Sequence, residues 1–337
     1  MVSKKTQMML FVLLFIFAST LKVFAEEIVV YSARSNLLTR IPFNQFFRDT
    51  GIKINVDTGD INELLERLEK EGQNSPADVL MTVDAGSLWE ATQADLFQAI
   101  NSDILIQNIP DYLRDPGNHW FGLSKRARTI VYSSKRVSPA DLSTYEDLAQ
   151  PKWEKKLCLR TSKKVYNQSL VAMMIKKHGI EDTEEIIKGW VKNLAAEPYD
   201  KDNEVIMAIA EGKCDVGIVN HYYLAGMLKR DPELPVNLFW PDQGAGEDGV
   251  YVDISGAGVM KHARNKDSAV KFLEWLSSEK AQNLFADSNM EYPVNPEVNP
   301  APQVQAWGAF KQNTDNISHS GVNQKTAIEL MNRAGYR

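Results

Sequence analysis

The sequence predicts an α/β fold of two lobes joined by crossing strands, with a ligand cleft between them. Three observations carry this prediction. Short β-branched runs alternate with helical-period segments soon after an apolar leader. A second set of the same kind follows between Arg128 and Lys229. An extended run, Val250 to Met260, then takes the chain back to the first block, so strands must cross between the two. A length of 337 residues suits two domains. The formal charge of -6 argues against a nucleic-acid partner, which calls for a basic face.

The leader is read first. Lys4 and Lys5 precede the apolar run Met8 to Ala18, and Val23-Phe24-Ala25 puts small residues at the -3 and -1 positions of a cleavage site. This is the pattern of a secretory signal peptide, residues 1–25, cleaved after Ala25. The competing reading is a membrane anchor, which needs about 17 apolar residues; this run has 11, and Lys22 interrupts its extension. No lipobox cysteine follows the run, so the exported chain is expected to be free rather than tethered.

In the first block, Ile28 to Ser32, Ile52 to Thr58 and Ala77 to Asp84 read as strands. Leu37 to Phe47 and Ile61 to Gly72 read as helices, the second with Ile61, Leu64, Leu65 and Leu68 on one face. In the second block, Arg128 to Ser134, Lys155 to Thr161 and Cys214 to Asn220 read as strands. Asn167 to Lys177, Glu184 to Leu194, Asp202 to Gly212 and Tyr222 to Lys229 read as helices. Ser268 to Phe285 reads as one long amphipathic helix. The lobes are placed at 26–125 plus about 250–298, and at 126–249 plus about 299–337. Open α/β sheets bind ligands outside the carboxyl ends of their strands, so strand ends are where chemistry is sought.

The common enzyme signatures are absent: there is no HExxH, P-loop or GxSxG. Gly244 to Gly249 matches GxGxxG by letter but does not join a strand to a helix, so it reads as a loop. The five histidines are scattered and do not suggest a zinc site. Cys158 and Cys214 each adjoin a strand-like run; a disulfide between them is expected if those strands are neighbours, and two buried thiols are the alternative.

The distinctive feature is Tyr222-Tyr223, at a strand-to-helix switch, with Tyr166 similarly placed. Neighbours on a regular strand point to opposite faces, but a turn at the switch can aim both at one point. Three phenols then converge on one cleft. Phenolates suit Fe3+, a small hard cation that prefers anionic oxygen. A phenol's ordinary pKa is about 10, and a bound cation drives its deprotonation. Three tyrosinates neutralise the ion; carbonate or water fills what remains, with Arg34 and Arg126 as the positive charge that an anion needs. The competing reading is plain aromatic packing.

These residues resemble the periplasmic ferric iron-binding proteins of ABC importers. The resemblance covers nearly the whole exported chain and is carried by Val30 to Arg34, Ala77 to Leu88, Gly122 to Ser133, Val165 to Ile175, Cys214 to Leu228 and Asp253 to Asn265. It implies the type II periplasmic-binding-protein fold, with two α/β lobes hinged by two strands. It also implies ligand roles for Tyr166, Tyr222 and Tyr223, and Arg126 as holder of a synergistic carbonate or other anion. Many members carry His or His-Tyr after the first strand, and some a carboxylate after the third. Here those places hold Ser35 and Asn36, and Val83 beside Asp84. The chain thus resembles the subgroup with three tyrosines and no side-chain ligand from the first lobe. The expectation is a periplasmic monomer, not an enzyme, that delivers Fe3+ to an inner-membrane ABC permease. Same-fold competitors bind an oxyanion, a polyamine or a ferric chelate; an oxyanion site would be built on Ser/Thr and backbone donors, and a polyamine site on carboxylates flanking aromatics. A secreted hydrolase would need a base beside Ser169 or Ser255, and none is evident. A sensor input domain would need a signalling segment.

Overall fold

The computed structural model describes residues 26–337; the expected signal peptide, residues 1–25, lies outside the described residues. The first block runs β1 (Glu27–Ser32), α1 (Asn36–Thr50), β2 (Lys53–Thr58), α2 (Ile61–Glu71), β3 (Val79–Thr82) and α3 (Ala85–Gln93). Its helices begin where short polar side chains meet free backbone N–H groups. Ser35 accepts from Leu37, Asp60 from Asn62 and Asp84 from Ser87. Gly51 ends α1 at φ 75°, a left-handed turn that a glycine takes without a Cβ clash. The short α4 (Asp103–Asn108) then leads to β4 (Phe121–Ser133).

The second block contributes β5 (Leu157–Cys158), α5 (Val165–Asn193), α6 (Asp202–Ala210), β6 (Val216–Asn220), α7 (His221–Arg230) and β7 (Val236–Phe239). The chain closes with β8 (Val252–Val259), α8 (Lys266–Ser277), α9 (Glu279–Asn289), α10 (Pro302–Gln305) and α11 (His319–Arg333). The strand order is β2-β1-β3-β8-β4-β6-β5, with β7 also on β4.

β4 belongs to both blocks. Phe121 to Ala127 pair with β8, which itself pairs with β3. Arg128 to Tyr132 pair with β6, and Ile130 to Ser133 with β7. The changeover falls between Ala127 and Arg128, where the Arg128 N–H reaches the Tyr251 carbonyl at 3.0 Å. Along the second half, successive side chains enter different cores. Ile130 and Ile218 face one with Leu170, Trp190 and Leu330, whereas Val131 and Val219 face another with Val205, Ile209 and Leu224. The first block has its own core around Ile28, Phe46, Leu68 and Phe272. Cys158 and Cys214 are disulfide-bonded, with their Cα atoms 6.0 Å apart. The last helix, α11, packs on both α5 and α3, so it touches both blocks.

Four details differ from the sequence reading. The strand expected from Arg128 begins at Phe121, because the GLSKRA stretch continues the same ladder. The strand expected over 155–161 is only Leu157–Cys158; beyond it the backbone pairs with Tyr199 instead. The two helices expected over 167–194 form one element, interrupted at Gly179, whose φ of 80° is non-helical. The single helix expected over 268–285 is two, because Ser278 takes an extended conformation and caps α9 through Ala281.

Candidate metal centre

β5 and β6 are parallel neighbours; Tyr222 and Tyr223 follow directly on the carboxyl end of β6, and the Tyr166 hydroxyl is hydrogen-bonded with that of Tyr222. Asn220 is the last residue of β6 and the N-cap of α7, so Tyr222 and Tyr223 fall in that helix's first turn. Tyr166 occupies the first turn of α5. At the start of a helix successive side chains fan through about 100°, which lets two adjacent phenols face one cleft. Their rings lie 4.4 Å apart at 38°. The Asn220 side-chain amide donates to the Tyr222 hydroxyl at 3.4 Å.

Arg126 comes from β4 on the opposite side. Its guanidinium carbon lies 4.7 Å from the centroid of the Tyr166 ring. It donates to Asp253 at 2.8 Å and to the Val83 carbonyl, while its Nε has no partner among the described residues. Arg34 does not join this group. It is buried and donates to Ser124 at 3.1 Å and to Glu291, and it lies over the Phe285 ring. Both arginines are paired with a carboxylate and both keep a buried Nε unpartnered among the described residues, but Arg126 lies over the Tyr166 ring and Arg34 over Phe285.

Electrostatics set the resting state of the phenols. Burial raises the proton affinity of Tyr222 well above the ordinary phenol, and Tyr166 and Tyr223 add to this while Arg126 opposes it. Burial likewise raises Tyr166, again opposed first by Arg126. Without a cation these hydroxyls stay neutral; a trivalent ion among them inverts the balance.

The first-lobe residues at the family's ligand places are engaged elsewhere. Ser35 caps α1, and Asn36 accepts from Thr58 at 3.2 Å. Asp84 caps α3, accepting from the Ser87 N–H at 2.8 Å and its hydroxyl at 2.7 Å. Burial, and then the neighbouring charge of Asp253, push the Asp84 carboxyl up to about 6. A carboxyl with a folded-state pKa above its unfolded value of about 4 holds its proton more tightly when folded. Its contribution to stability is full below about pH 4 and is lost as the pH rises through about 6. Asp84→Asn removes this penalty and should flatten the stability profile between about pH 4 and 7. Urea midpoints at several pH values read this directly.

Sequence reasoning missed the layer beneath the phenols. Asp202, at the start of α6, accepts from Arg128 at 2.7 Å and from the Asn220 N–H at 3.1 Å. Arg128 also donates to Asn167 at 2.6 Å. The Asn167 amide donates to the Arg160 carbonyl at 2.7 Å and to the Tyr336 hydroxyl at 2.8 Å, and that hydroxyl donates to the Arg160 carbonyl. This network fixes the first turns of α5 and α7, which carry the tyrosines. His221, next to Tyr222, is not available as a ligand. Its Nδ1 accepts from the Ala127 N–H at 3.1 Å and its Nε2 donates to the Met290 carbonyl at 2.8 Å. Among the described residues, no group of three or more His, Cys, Asp or Glu is arranged to hold a metal ion. A hard cation in this cleft would meet phenols.

Comparison with known proteins gives the same direction. The family model for bacterial extracellular solute-binding proteins matches residues 42–312. Iron uptake protein A1 of Synechocystis is 42% identical over 318 residues, covering 93% of this chain and 88% of that one. A solved Trichodesmium protein (IdiA, FutA), in complex with iron and citrate, superposes with a TM-score of 0.87 at 44% identity, covering 92% of this chain and 100% of that one. The apo ferric ion-binding protein A of Pasteurella haemolytica has a TM-score of 0.86 at 40% identity, with 93% and 98% covered. The two-lobed periplasmic-binding-protein fold expected from sequence is the fold observed. The chain belongs to the family of bacterial extracellular solute-binding proteins.

Proposed function

We propose that this protein captures ferric iron through the phenolates of Tyr166, Tyr222 and Tyr223 and delivers it to an inner-membrane ABC permease. The observation that carries the reading is the meeting of three phenols at the carboxyl end of β6, where burial keeps Tyr166 and Tyr222 neutral until a cation arrives. Fe3+ matches this donor set in hardness and, with three phenolates, in charge. The iron-bound and iron-uptake relatives support the same cargo.

Arg126 supports a co-bound anion, carbonate or another carboxylate, because its guanidinium lies over the Tyr166 ring and keeps a buried Nε with no acceptor among the described residues. Arg34 is not assigned to that anion, since it lies over the Phe285 ring, between Glu291 and Ser124, rather than over a phenol of the site. In this reading the exported chain, cleaved after Ala25, acts as a periplasmic monomer without catalysis. Its lobes, 26–125 with about 250–298 and 126–249 with about 299–337, close by a hinge in β4 and β8. The test is a visible-absorption titration of the purified exported form with ferric citrate, with and without bicarbonate. A saturable tyrosinate-to-iron charge-transfer band is expected, and bicarbonate dependence would implicate Arg126. No band under any condition sinks the ferric reading.

A further inference from the structure

We propose that Arg160 is a positioning residue for the iron site, supplying the charge against which the Tyr166 phenolate forms. This rests on the reading of Tyr166 as a ligand. The guanidinium carbon of Arg160 lies 5.3 Å from the centroid of the Tyr166 ring, so two guanidiniums cover one phenol.

The two cations over that ring are not equally matched. Arg126 has a carboxylate of its own, Asp253, at 2.8 Å. Arg160 has no such carboxylate among the described residues. Its Nε donates to a backbone carbonyl, that of Asp200, at 2.9 Å. The nearest carboxylate, Asp202, is 3.8 Å from its Nη1, too far for a hydrogen bond, and Arg128 already takes that carboxylate at 2.7 Å. The Arg160 Nη1 is buried with no hydrogen-bond partner among the described residues. Two guanidiniums thus share one carboxylate, and the one left short of negative charge is the one beside the phenol.

A buried cation with an unmet donor is normally removed or paired. Here its complement arrives with the cargo. When Fe3+ displaces the phenolic proton of Tyr166, the ring becomes anionic next to Arg160, and the pair is completed beside a guanidinium largely shielded from water, where such charges interact more strongly than in solvent. Arg160 is held for this by its own backbone. Its carbonyl accepts from Asn167, in the same helical turn as Tyr166, and from Tyr336. A planar guanidinium suits this position because it can lie against a ring, as an ammonium does less well.

The experiment combines Arg160→Gln and Arg160→Lys with the parent and with Tyr166→Phe, at saturating ferric iron. Two quantities are read: the wavelength of the charge-transfer band and the apparent iron affinity by citrate competition. Removing the cation raises the filled phenolate orbital, so Arg160→Gln should move the band to longer wavelength and weaken binding roughly tenfold. Arg160→Lys should give a smaller shift of the same sign. In Tyr166→Phe the residual band comes from Tyr222 and Tyr223, and neither Arg160 change should move it. An unmoved band in Arg160→Gln, or an equal shift in the Tyr166→Phe background, overturns the proposal. Should Arg160→Gln fail to fold, Arg160→Met removes the same charge, and an unmoved band there overturns the proposal. A parent protein with no band at all fails the ferric reading itself, so the two failures are distinguishable.

Discussion

Ferric iron affinity is expected to fall by more than about 100-fold when any one of Tyr166, Tyr222 or Tyr223 becomes Phe, since changes even outside the ligand shell cost 10–100-fold at metal sites. Each substitution removes one anionic oxygen and leaves a trivalent ion facing two phenolates, so a net positive charge stays buried. The ring remains, and with it the packing. The pair of rings contributed by Tyr222 and Tyr223 survives loss of either hydroxyl, and so does the contact between the Tyr166 ring and Arg126. The iron-free variants should therefore melt within a few degrees of the parent while their charge-transfer bands weaken or disappear. Calorimetric or competition titration separates the two effects. Parent-like affinity in Tyr166→Phe would remove that residue from the ligand set.

The largest loss of stability is expected from Asp202→Ala, about 3–5 kcal/mol, because it strips a buried carboxylate from guanidiniums that stay behind. Arg128 and Asp202 are both almost fully buried, and among the described residues no other carboxylate pairs with Arg128. The same change frees the Asn220 N–H, at the turn ahead of Tyr222. Asp202→Asn keeps an acceptor and should cost less. Urea unfolding of the iron-free protein distinguishes the two. Near-parent stability in Asp202→Ala would mean that water replaces the carboxylate without loss.

What was legible in the sequence follows from the range of each interaction. β1, β2 and β3 announce themselves by β-branched runs, and α2 by Leu64, Leu65 and Leu68 at helical spacing. The return of Val250 to Met260 to the first block was readable as a strand that had to go somewhere. The tyrosines stood out because a strand-to-helix switch is a local signal. Long-range pairing was not legible. Arg34 and Arg126 look alike at strand ends, yet Arg34 is neutralised by Glu291, 257 residues away, and Arg126 by Asp253, 127 away. Nothing around Asp202 marks it as the anion for Arg128, 74 residues earlier. The break at Ser278 was also missed, because serine disturbs the apolar period of a helix very little and acts here through its capping hydroxyl.

The Tyr336 hydroxyl closes the layer under the phenols by bonding Asn167 and the Arg160 carbonyl, and Asn167 lies 169 positions earlier. A chain made amino end first therefore presents its tyrosines long before their support can assemble. During that interval Arg160 and α5's first turn lack a member of their clamp. Assembly of the layer beneath Tyr166 is thus a late event in the life of the polypeptide, possible only once Tyr336 is in place.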